Sequence, residues 1–245
     1  QYSMVAGQSS QASGKWSVAM GFGSVASNHT TFAMGYYASA TGSYATALGF
    51  SAKAQGQYAV ATGYETTASG MYSFASGFSS AASATGSTAM GVDGTASGSY
   101  STAMGYRSIA SNSYSTAMGY YSTASGSSST AMGYYSKANE DYSTAMGYHS
   151  VANEKYSVAI GSNTLACGMY SLALGNNTIA RSNGETALGL YNTDYDVTNN
   201  TDYNSSDRLF VIGNGQSNDS RSDALVMLKN ANTTISGNLN INKGL

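Results

Sequence analysis

The feature that most constrains this chain is a fourteen-residue spacing that repeats without insertion through most of its length. Alanine stands two residues before and five residues after the repeated glycines, from Ala12 to Ala187. A short period held this strictly is typical of a repeat architecture, so the fold is inferred from the repeat. The repeated glycines are Gly7, Gly21, Gly35, Gly49, Gly63, Gly77, Gly91, Gly105, Gly119, Gly133, Gly147, Gly161, Gly175 and Gly189.

Each fourteen-residue unit divides into two equal halves. In one unit the pattern Ser-x-Ala-x-Gly begins at Ser115 and ends at Gly119, and it begins again at Ser122. Small residues at every second position mark one face of a β-strand. Glycine and the two residues after it supply a turn. The sequence therefore predicts an all-β fold, a parallel β-solenoid in which each half is a short strand followed by a corner.

A coiled coil is the competing interpretation, because each unit has the length of two heptads and its alanines, one heptad apart, form a seam. Glycine or asparagine recurs in most halves, as at Gly42, Gly98 and Asn112. Each interior glycine destabilises a helix by about 1 kcal/mol, and the Glu/Lys pairs that would compensate are absent. The composition therefore favours the solenoid.

Inward positions filled by Ser, Ala and Gly predict a very narrow roll, whose two outer faces differ in polarity. The second halves carry polar outward residues, such as Lys53, Thr67, Lys137 and Asn139. The first halves carry an apolar row, which we call the methionine stripe. Its members are Met20, Met34, Leu48, Met104, Met118, Met132, Met146, Ile160 and Leu174. An exposed stripe of this size is unusual on a monomer, so we expect it to be a subunit interface. Three-fold symmetry around the stripe is the natural way to close such an assembly, although the number of subunits does not follow from the sequence.

The segment Ser157-Val-Ala-Ile-Gly161 and its Ser-Thr-Ala-Met-Gly versions, which begin at Ser101, Ser115, Ser129 and Ser143, carry a resemblance. They look like the repeat of the YadA-like head of trimeric autotransporter adhesins, and the resemblance covers residues 1–190. It implies a left-handed parallel β-roll with coils of this period, a homotrimer, and adhesion to a surface or matrix. The chain differs from that family in having methionine where isoleucine is preferred, and in its many tyrosines.

Aromatic residues recur at the two corners of the unit. The first aromatic column consists of Phe22, Tyr36, Phe50, Tyr64, Phe78, Tyr106, Tyr120, Tyr134 and Tyr148. The second aromatic column consists of Trp16, Tyr44, Tyr58, Tyr72, Tyr100, Tyr114, Tyr142, Tyr156 and Tyr170. Such ladders pack against each other and seal edges, or they contact a glycan or protein; both interpretations stay open. The candidate contact residues are Tyr106, Tyr120, Tyr134, Tyr148, Tyr121 and Tyr135, and we expect the last two to lie furthest out.

The period stops after Gly189, and residues 191–245 are predicted to form a loop and a short β collar. Two strands are expected, one from Leu209 and one from Ala224, and a third segment from Thr233 to Ile241 follows them. Asn214-Gly215 is a turn signal. This tail resembles the segment that follows such heads in bacterial surface fibres and phage-type tail fibres, where an endosialidase-type chaperone often comes next. Asp194, Asp196, Asn199 and Asp202 offer oxygen atoms, but their spacing matches no calcium loop, so no metal is predicted.

Charge and motif content exclude several function classes. The chain has ten basic and twelve acidic residues, and the basic ones form no patch in the sequence. This argues against a nucleic-acid-binding function. His29 and His149 do not share a column, and no catalytic motif, cofactor motif or apolar membrane run is present. The single cysteine, Cys167, excludes an intrachain disulfide framework. We expect no enzyme and no cofactor. Because the first residues already lie inside a repeat and no secretory signal precedes them, we expect a piece of a longer chain.

The prediction from the sequence is an extracellular trimeric fibre head, at a cell surface or a fibre or virion surface, that binds a cell, matrix or glycan surface by avidity. The alternative is a structural shaft segment of a phage tail fibre or injection-system fibre whose receptor tip lies elsewhere. Ice binding by rows such as Thr116 and Thr130 is a minor alternative, because it requires threonines that face water rather than the methionine stripe. A glycosidase would need a pair of carboxylates. The acidic cluster in the sequence is Glu140, Asp141 and Glu154, and no enzyme is expected.

Overall fold

The computed structural model describes residues 2–239, and all regular elements within that range are β-strands. The chain folds as a parallel β-solenoid of about 13 coils, as the repeat period predicts. It divides into two compact units, residues 1–128 and 129–245, which are described in turn.

The first unit alternates long and short strands. Its long strands are β1 (Met4–Ala6), β3 (Val18–Phe22), β5 (Phe32–Tyr36), β7 (Thr46–Phe50), β9 (Val60–Tyr64), β11 (Phe74–Phe78), β13 (Thr88–Val92), β15 (Thr102–Tyr106) and β17 (Thr116–Tyr120). Its short strands are β2 (Gln11–Ala12), β4 (Val25–Ala26), β6 (Ser39–Ala40), β8 (Lys53–Ala54), β10 (Thr67–Ala68), β12 (Ala81–Ala82), β14 (Thr95–Ala96), β16 (Ile109–Ala110) and β18 (Thr123–Ala124). Long strands pair with long strands and short with short, all parallel.

The second unit begins with the same alternation. Its long strands are β19 (Thr130–Tyr134), β21 (Thr144–Tyr148), β23 (Val158–Ser162), β25 (Leu172–Asn176) and β27 (Thr186–Leu190). Its short strands are β20 (Lys137–Ala138), β22 (Val151–Ala152), β24 (Leu165–Ala166) and β26 (Ile179–Ala180). Three strands outside the period follow, β28 (Arg208–Asn214), β29 (Asp223–Leu228) and β30 (Thr233–Ile235).

Each strand residue of a coil pairs with the residue one period later, so residues at equivalent positions of the repeat form columns. Ala103 pairs with Ala117, and Met104 pairs with Met118. From Ser17 onward the alanine columns and the serine columns are buried, which confirms the narrow core predicted from the sequence. Buried serine hydroxyls donate to corner carbonyls; Ser115 Oγ donates to Asn112 O at 2.6 Å. Serine is therefore used inside the coil because its hydroxyl satisfies the backbone where the chain turns.

The two halves of a coil differ more than the sequence pattern predicts, with five residues in a typical long strand and two in a short one. The repeated glycine of the first half is not one of the small residues that face the core. At Gly105 the backbone has φ of +115°, and an added Cβ would lie 2.2 Å from the carbonyl oxygen of Gly119. Glycine stands here because the chain turns at a positive φ while the next coil lies directly against it.

The strands expected from Leu209 and Ala224 are confirmed. Strand β28 continues the long-strand sheet in parallel, with Ala187 opposite Val211. Strand β29 pairs antiparallel with β28, and β30 pairs antiparallel with β29. The end of the third expected segment, residues 240–241, lies outside the described residues.

Two polar side chains close the last regular coil, at positions that most earlier coils fill with serine or threonine. Leu165 N–H donates to the carbonyl of Thr178 in the next coil at 2.9 Å, whereas its equivalent Ile179 donates to Asn192 Oδ1 at 2.8 Å. Asn192 Nδ2 also donates to Ile179 O at 2.8 Å. The N–H groups of residues 181 and 182 donate to Glu185 Oε2 at 2.8 and 2.9 Å. These side chains replace the peptide groups that a further coil would supply, so the short-strand sheet ends with these donors satisfied.

Candidate functional site

Rings of the first aromatic column stack from coil to coil. Phe50 and Tyr64 have ring centroids 4.7 Å apart with an interplanar angle of 5°, and Tyr64 and Phe78 are 4.9 Å apart. Within the second unit Tyr134 and Tyr148 stack at 5.1 Å. Strand spacing sets these distances, because parallel in-register strands lie about 4.8 Å apart. The column therefore presents a row of ring edges and hydroxyl groups at one corner.

Exposure of the predicted contact tyrosines follows a different order from the one expected. Tyr120, Tyr134 and Tyr148 are exposed, the last by 50%. Tyr106 is half-buried. Tyr121 and Tyr135 are also half-buried, so the expectation that they lie furthest out was wrong. Both residues adopt a positive φ of 54°, and their rings pack against Tyr120 and Tyr134 respectively.

Arg107 in the first unit and His149 in the second stand at the repeat position that Tyr121 and Tyr135 also occupy, two residues after a repeated glycine. Neither was expected from the sequence to be a contact residue. Arg107 Nη1 donates to Tyr121 Oη at 2.5 Å, and its Nε donates to Asp93 Oδ2 at 3.2 Å. These two hydrogen bonds, the tyrosine one first, raise the pKa of the Arg107 guanidinium. The signal was available, because Asp93 and Arg107 are opposite charges one period apart.

His149 stacks face to face on Tyr135, with ring centroids 5.1 Å apart. Tyr148 lies beside it at 4.5 Å. A cluster of four rings, Tyr134, Tyr135, Tyr148 and His149, therefore forms at this corner of the second unit.

The second aromatic column is the more exposed of the two. Tyr114 is 63% exposed, and the other aromatic members of that column are exposed as well. Its residues adopt a positive φ, 58° at both Tyr58 and Tyr114, because they stand at the tightest turn of the second corner. The N–H of Tyr114 donates to Ser99 O of the preceding coil at 2.9 Å. The column is thus a set of aromatic residues whose backbone is held at the turn and whose rings are exposed.

The methionine stripe lies on the outer face of the long strands in both units. Met34 is 43% exposed and Leu174 nearly as much, while the other members are half-buried in the isolated chain. Thr102 and Thr116 point to the same face as Met104 and Met118, since strand residues alternate. The expected apolar row is interrupted within the first unit, where Thr62 Oγ1 donates to Ser76 Oγ at 3.0 Å.

A polar row on the short-strand face of the second unit leads to a cleft of about 570 Å³. Asn139 Nδ2 donates to Asn153 Oδ1 at 2.7 Å, and Asn153 Nδ2 lies 3.8 Å from Cys167 Sγ. Burial raises the pKa of the Cys167 thiol, so it is poorly suited to act as a nucleophile. Asn200 covers the row by donating to Cys167 O at 2.8 Å. The cleft is lined by Asn153, Glu154, Cys167, Arg181, Val197, Thr198, Asn199 and Asn200.

Arg181 borders this cleft and forms a two-bond ion pair with Asp194, at 2.7 and 2.6 Å. The guanidinium holds the pKa of the Asp194 carboxyl below its usual range, and the carboxylate in turn raises the pKa of Arg181. Asn199, a second residue considered as a calcium ligand, donates to Asp202 at 2.8 Å. Three of the four oxygen-bearing side chains in that loop thus bind protein partners.

Buried charges concentrate beyond the last regular coil. Burial raises the pKa of Glu185, and it also raises the pKa of Tyr195, whose hydroxyl donates to Glu185 Oε2 at 3.1 Å. Lys229 Nζ lies 3.9 Å from Asp207 Oδ2, and its side chain is only 3% exposed. Burial lowers the pKa of Lys229. Arg208 Nη2 lies 3.2 Å from Asp223 Oδ2 in a second, mostly buried pair.

Two properties of the described part of the chain bear on the class of site. Within residues 2–239, no three His, Cys, Asp or Glu side chains come together as metal ligands would. The same range contains no helix with the length and apolar character that a membrane crossing requires.

Comparison with known proteins identifies the repeat. A sequence model of the family described as YadA head domain repeat (2 copies) matches a series of segments, most of them overlapping, that together cover more than half of the chain. Those segments are residues 1–24, 12–38, 26–52, 40–66, 54–80, 68–93, 96–122, 124–150, 138–164 and 152–178. No curated protein sequence matches the chain.

Proposed function

The chain belongs to the YadA head domain repeat family, and from this premise we propose that it forms the head of an extracellular homotrimeric fibre that adheres to a surface. In this proposal residues 1–190 are a left-handed β-roll head and residues 191–245 are the collar that follows it. The family is one of structural adhesin repeats, which supports a binding role and no enzymatic one.

The observation that carries the trimer is the difference between the two faces of one coil. The long-strand face bears Met104 and Met118, side by side in register and only half-covered by their own chain. A row of such side chains gains free energy when a neighbouring subunit covers it, by about 25 cal/mol per Å² of apolar surface removed from water. Three copies that use the same face give a closed assembly.

A pair of double variants tests the trimer, with light scattering as the readout. Met104→Asp/Met118→Asp places charges on the long-strand face, and we expect the trimeric mass to be lost. The matched control, Ile109→Asp/Thr123→Asp, places the same charges on the short-strand face of the same coils, where Ile109 and Thr123 also pair in register. We expect the control to keep the trimeric mass. Equal behaviour of the two variants would remove the stripe from the interface.

Adhesion is assigned to the first aromatic column and its neighbours at the same corner. Exposed phenols, the Arg107 guanidinium and the His149 imidazole offer stacking surface and hydrogen-bond donors. Such a surface suits a glycan or a matrix protein. Three parallel copies multiply a weak contact through avidity.

Surface binding is tested on immobilised glycans and matrix proteins with a quartz-crystal balance. Tyr120→Ala/Tyr134→Ala removes exposed rings of the first column, and Tyr121→Ala/Tyr135→Ala removes half-buried ones. We expect at least a tenfold loss of binding for the first pair and a smaller loss for the second, both with the trimer intact. Tyr142→Ala/Tyr156→Ala, from the second column, is the control that should bind normally.

Intact trimer without binding to any of these surfaces would favour the alternative, a structural shaft of a phage or injection-system fibre with its receptor tip elsewhere. Ice binding is disfavoured, because Thr102 and Thr116 share their face with the methionine stripe. A trimer would cover that face.

A further inference from the structure

The second aromatic column contains runs of tyrosine in which neighbouring rings are nearly parallel. Tyr58 has Tyr44 on one side at 4.9 Å and Tyr72 on the other at 5.0 Å, with interplanar angles of 9° and 3°. Tyr156 in the second unit stands between Tyr142 at 5.0 Å and Tyr170 at 4.9 Å. Since such a pair is related by one coil, equivalent carbons of the two rings lie about one strand spacing apart, near ~4.8 Å.

These phenols are also accessible. Tyr44, Tyr58 and Tyr72 are all exposed, and so are Tyr142, Tyr156 and Tyr170. The backbone sets this parallel arrangement, because each tyrosine sits at a similar positive φ at the same corner of successive coils. High local concentration of phenols, exposure and enforced register occur together here.

We propose that these tyrosines are modification sites, at which a peroxidase-type one-electron oxidant joins phenols of successive coils as dityrosine. Each phenol gives up one electron and its hydroxyl proton and becomes a phenoxyl radical. The two radicals form one carbon–carbon bond between ring positions next to the oxygens. The hydrogens on those two carbons then move to the oxygens and restore both aromatic rings. The pair loses two hydrogens in total, and one hydrogen peroxide accepts them and becomes two waters.

Phenylalanine interrupts the early part of the first aromatic column, where Phe50 and Phe78 flank Tyr64 and leave it without a phenol neighbour in its own column. Later in that column phenols do stack, Tyr106 with Tyr120 at 4.9 Å and Tyr134 with Tyr148 at 5.1 Å, so these pairs are open to the same coupling. The second column is interrupted at Thr30, Gly86, Ser128 and Gly184, which limits its runs to two or three tyrosines. Coupling would therefore join coils locally. Each link would close a loop of one coil and restrict the unfolded chain in the way that a disulfide does.

Peptide mapping of the intact protein, after treatment with a peroxidase and hydrogen peroxide at low protein concentration, tests the proposal. We expect linked peptides that pair Tyr44 with Tyr58, Tyr58 with Tyr72, Tyr142 with Tyr156 and Tyr156 with Tyr170, each lighter by two hydrogens. Methionine oxidation adds oxygen instead, so the two products differ in mass. The treated protein should show dityrosine fluorescence and a higher midpoint of thermal unfolding.

Tyr58→Phe removes both links of one run and should leave the links of Tyr156 unchanged. Tyr2→Phe is the control, because Tyr2 is 82% exposed and its neighbour one period later is Trp16, which is not a phenol; it should leave the pattern as it was. Protein unfolded in urea should lose the pairing between successive coils. The proposal is overturned if Tyr2 is oxidised while the ladder tyrosines are not coupled, or if linked pairs are the same in folded and unfolded protein.

Discussion

The regular coils and the segment that follows them bury polar groups in opposite ways. Between residues 2 and 184, every buried polar side chain is a serine or a threonine. From Glu185 onward the buried polar side chains include carboxylates, an amide and the ammonium group of Lys229. A coil surrounded by copies of itself receives its hydrogen bonds from peptide groups, so a hydroxyl suffices at the corners. The end of the array lacks that neighbour, and longer polar side chains take its place.

A repeat sequence can satisfy its own polar groups only in the interior of the array, where every coil has a neighbour on both sides. Repeat arrays require terminal units that differ from the consensus. Here the difference begins inside the last regular coil, at Glu185 and Asn192, which stand one period after Ser171 and Thr178. Variants in the two regions should therefore fail for different physical reasons.

The largest effect is expected for Gly105→Ala, in the regular region. Its Cβ would meet the backbone of the next coil, and its positive φ is unfavourable for alanine. We expect a loss of about 3 to 5 kcal/mol of unfolding free energy, from backbone strain together with overpacking. The measurement is chemical denaturation followed by circular dichroism.

Gly184→Ala is the matched control. This glycine has φ of +66°, but nothing lies within 4 Å of an added Cβ. Only the cost of a left-handed backbone remains, about 1 kcal/mol. If both variants lose the same free energy, contact between coils at the glycine column is not what fixes this residue.

The next largest effect is expected at the closing side chains. Glu185→Ala leaves the N–H groups of Arg181 and Ser182 without their acceptor. Each unsatisfied buried donor costs about 1 to 3 kcal/mol. We expect this loss to appear first as faster hydrogen exchange of those two amides. Glu185→Gln keeps an acceptor oxygen and should protect them, so equal exchange in the two variants would contradict the closing role.

The same carboxyl predicts a pH dependence. Burial raises the pKa of Glu185 above its ordinary value of 4.5. At a pH between these two pKa values, the carboxyl of the folded protein keeps a proton that the unfolded chain has released. Stability should therefore fall as pH rises from 4.5 to the raised value, and stay level above it. Unfolding free energies at a series of pH values, relative to Glu185→Gln, isolate this group.

A rise in relative stability over that window would reverse the interpretation. It would mean that the three donors to Glu185 stabilise the carboxylate more than burial destabilises it. Asp194, whose pKa is lowered by Arg181, loses its contribution only as pH falls through values below its ordinary 3.8, and both proteins share that loss.

The smallest effect is expected for the serine hydroxyls. Ser115→Ala removes the bond to Asn112 O, but that carbonyl still accepts from the backbone N–H of residue 115 at 3.2 Å. We expect a loss of about 0.5 to 1.5 kcal/mol, the net value of one hydrogen bond. The chain offers the reverse variant, Ala45→Ser, at a coil where alanine fills the same column. Thermal unfolding of both should show changes of opposite sign, and a large loss in either would contradict the small role assigned to the hydroxyl.

Much of the fold follows from the sequence, because its period fixes the register directly. Ala103 and Ala117 had to be neighbours once coils of one repeat length were accepted. The pattern could not reveal that Gly105 turns at a positive φ, since small residues look alike inside a coil and at a corner. It also could not reveal how the ring of Tyr121 packs back against Tyr120, because that direction depends on the backbone of its own corner.

The closing residues were harder to predict for a different reason. Glu185 and Asn192 are recognisable only as departures from a serine column, and the groups they bind are set by where the regular coils end. Arg208 and Asp223 meet across β28 and β29, whose pairing carries no period at all.

The in-register columns also bear on how the chain folds in time. Hydrogen bonds between coils join residues about one period apart, as from Thr102 N–H to Ser115 O. Sheet proteins usually fold slowly because their partners are distant in sequence. In this chain a finished coil offers its edge to the residues that come next, so growth requires only short loop closures. We expect folding to proceed coil by coil, at rates closer to those of helical bundles than of β-sandwiches, even while the rest of the chain is still being made.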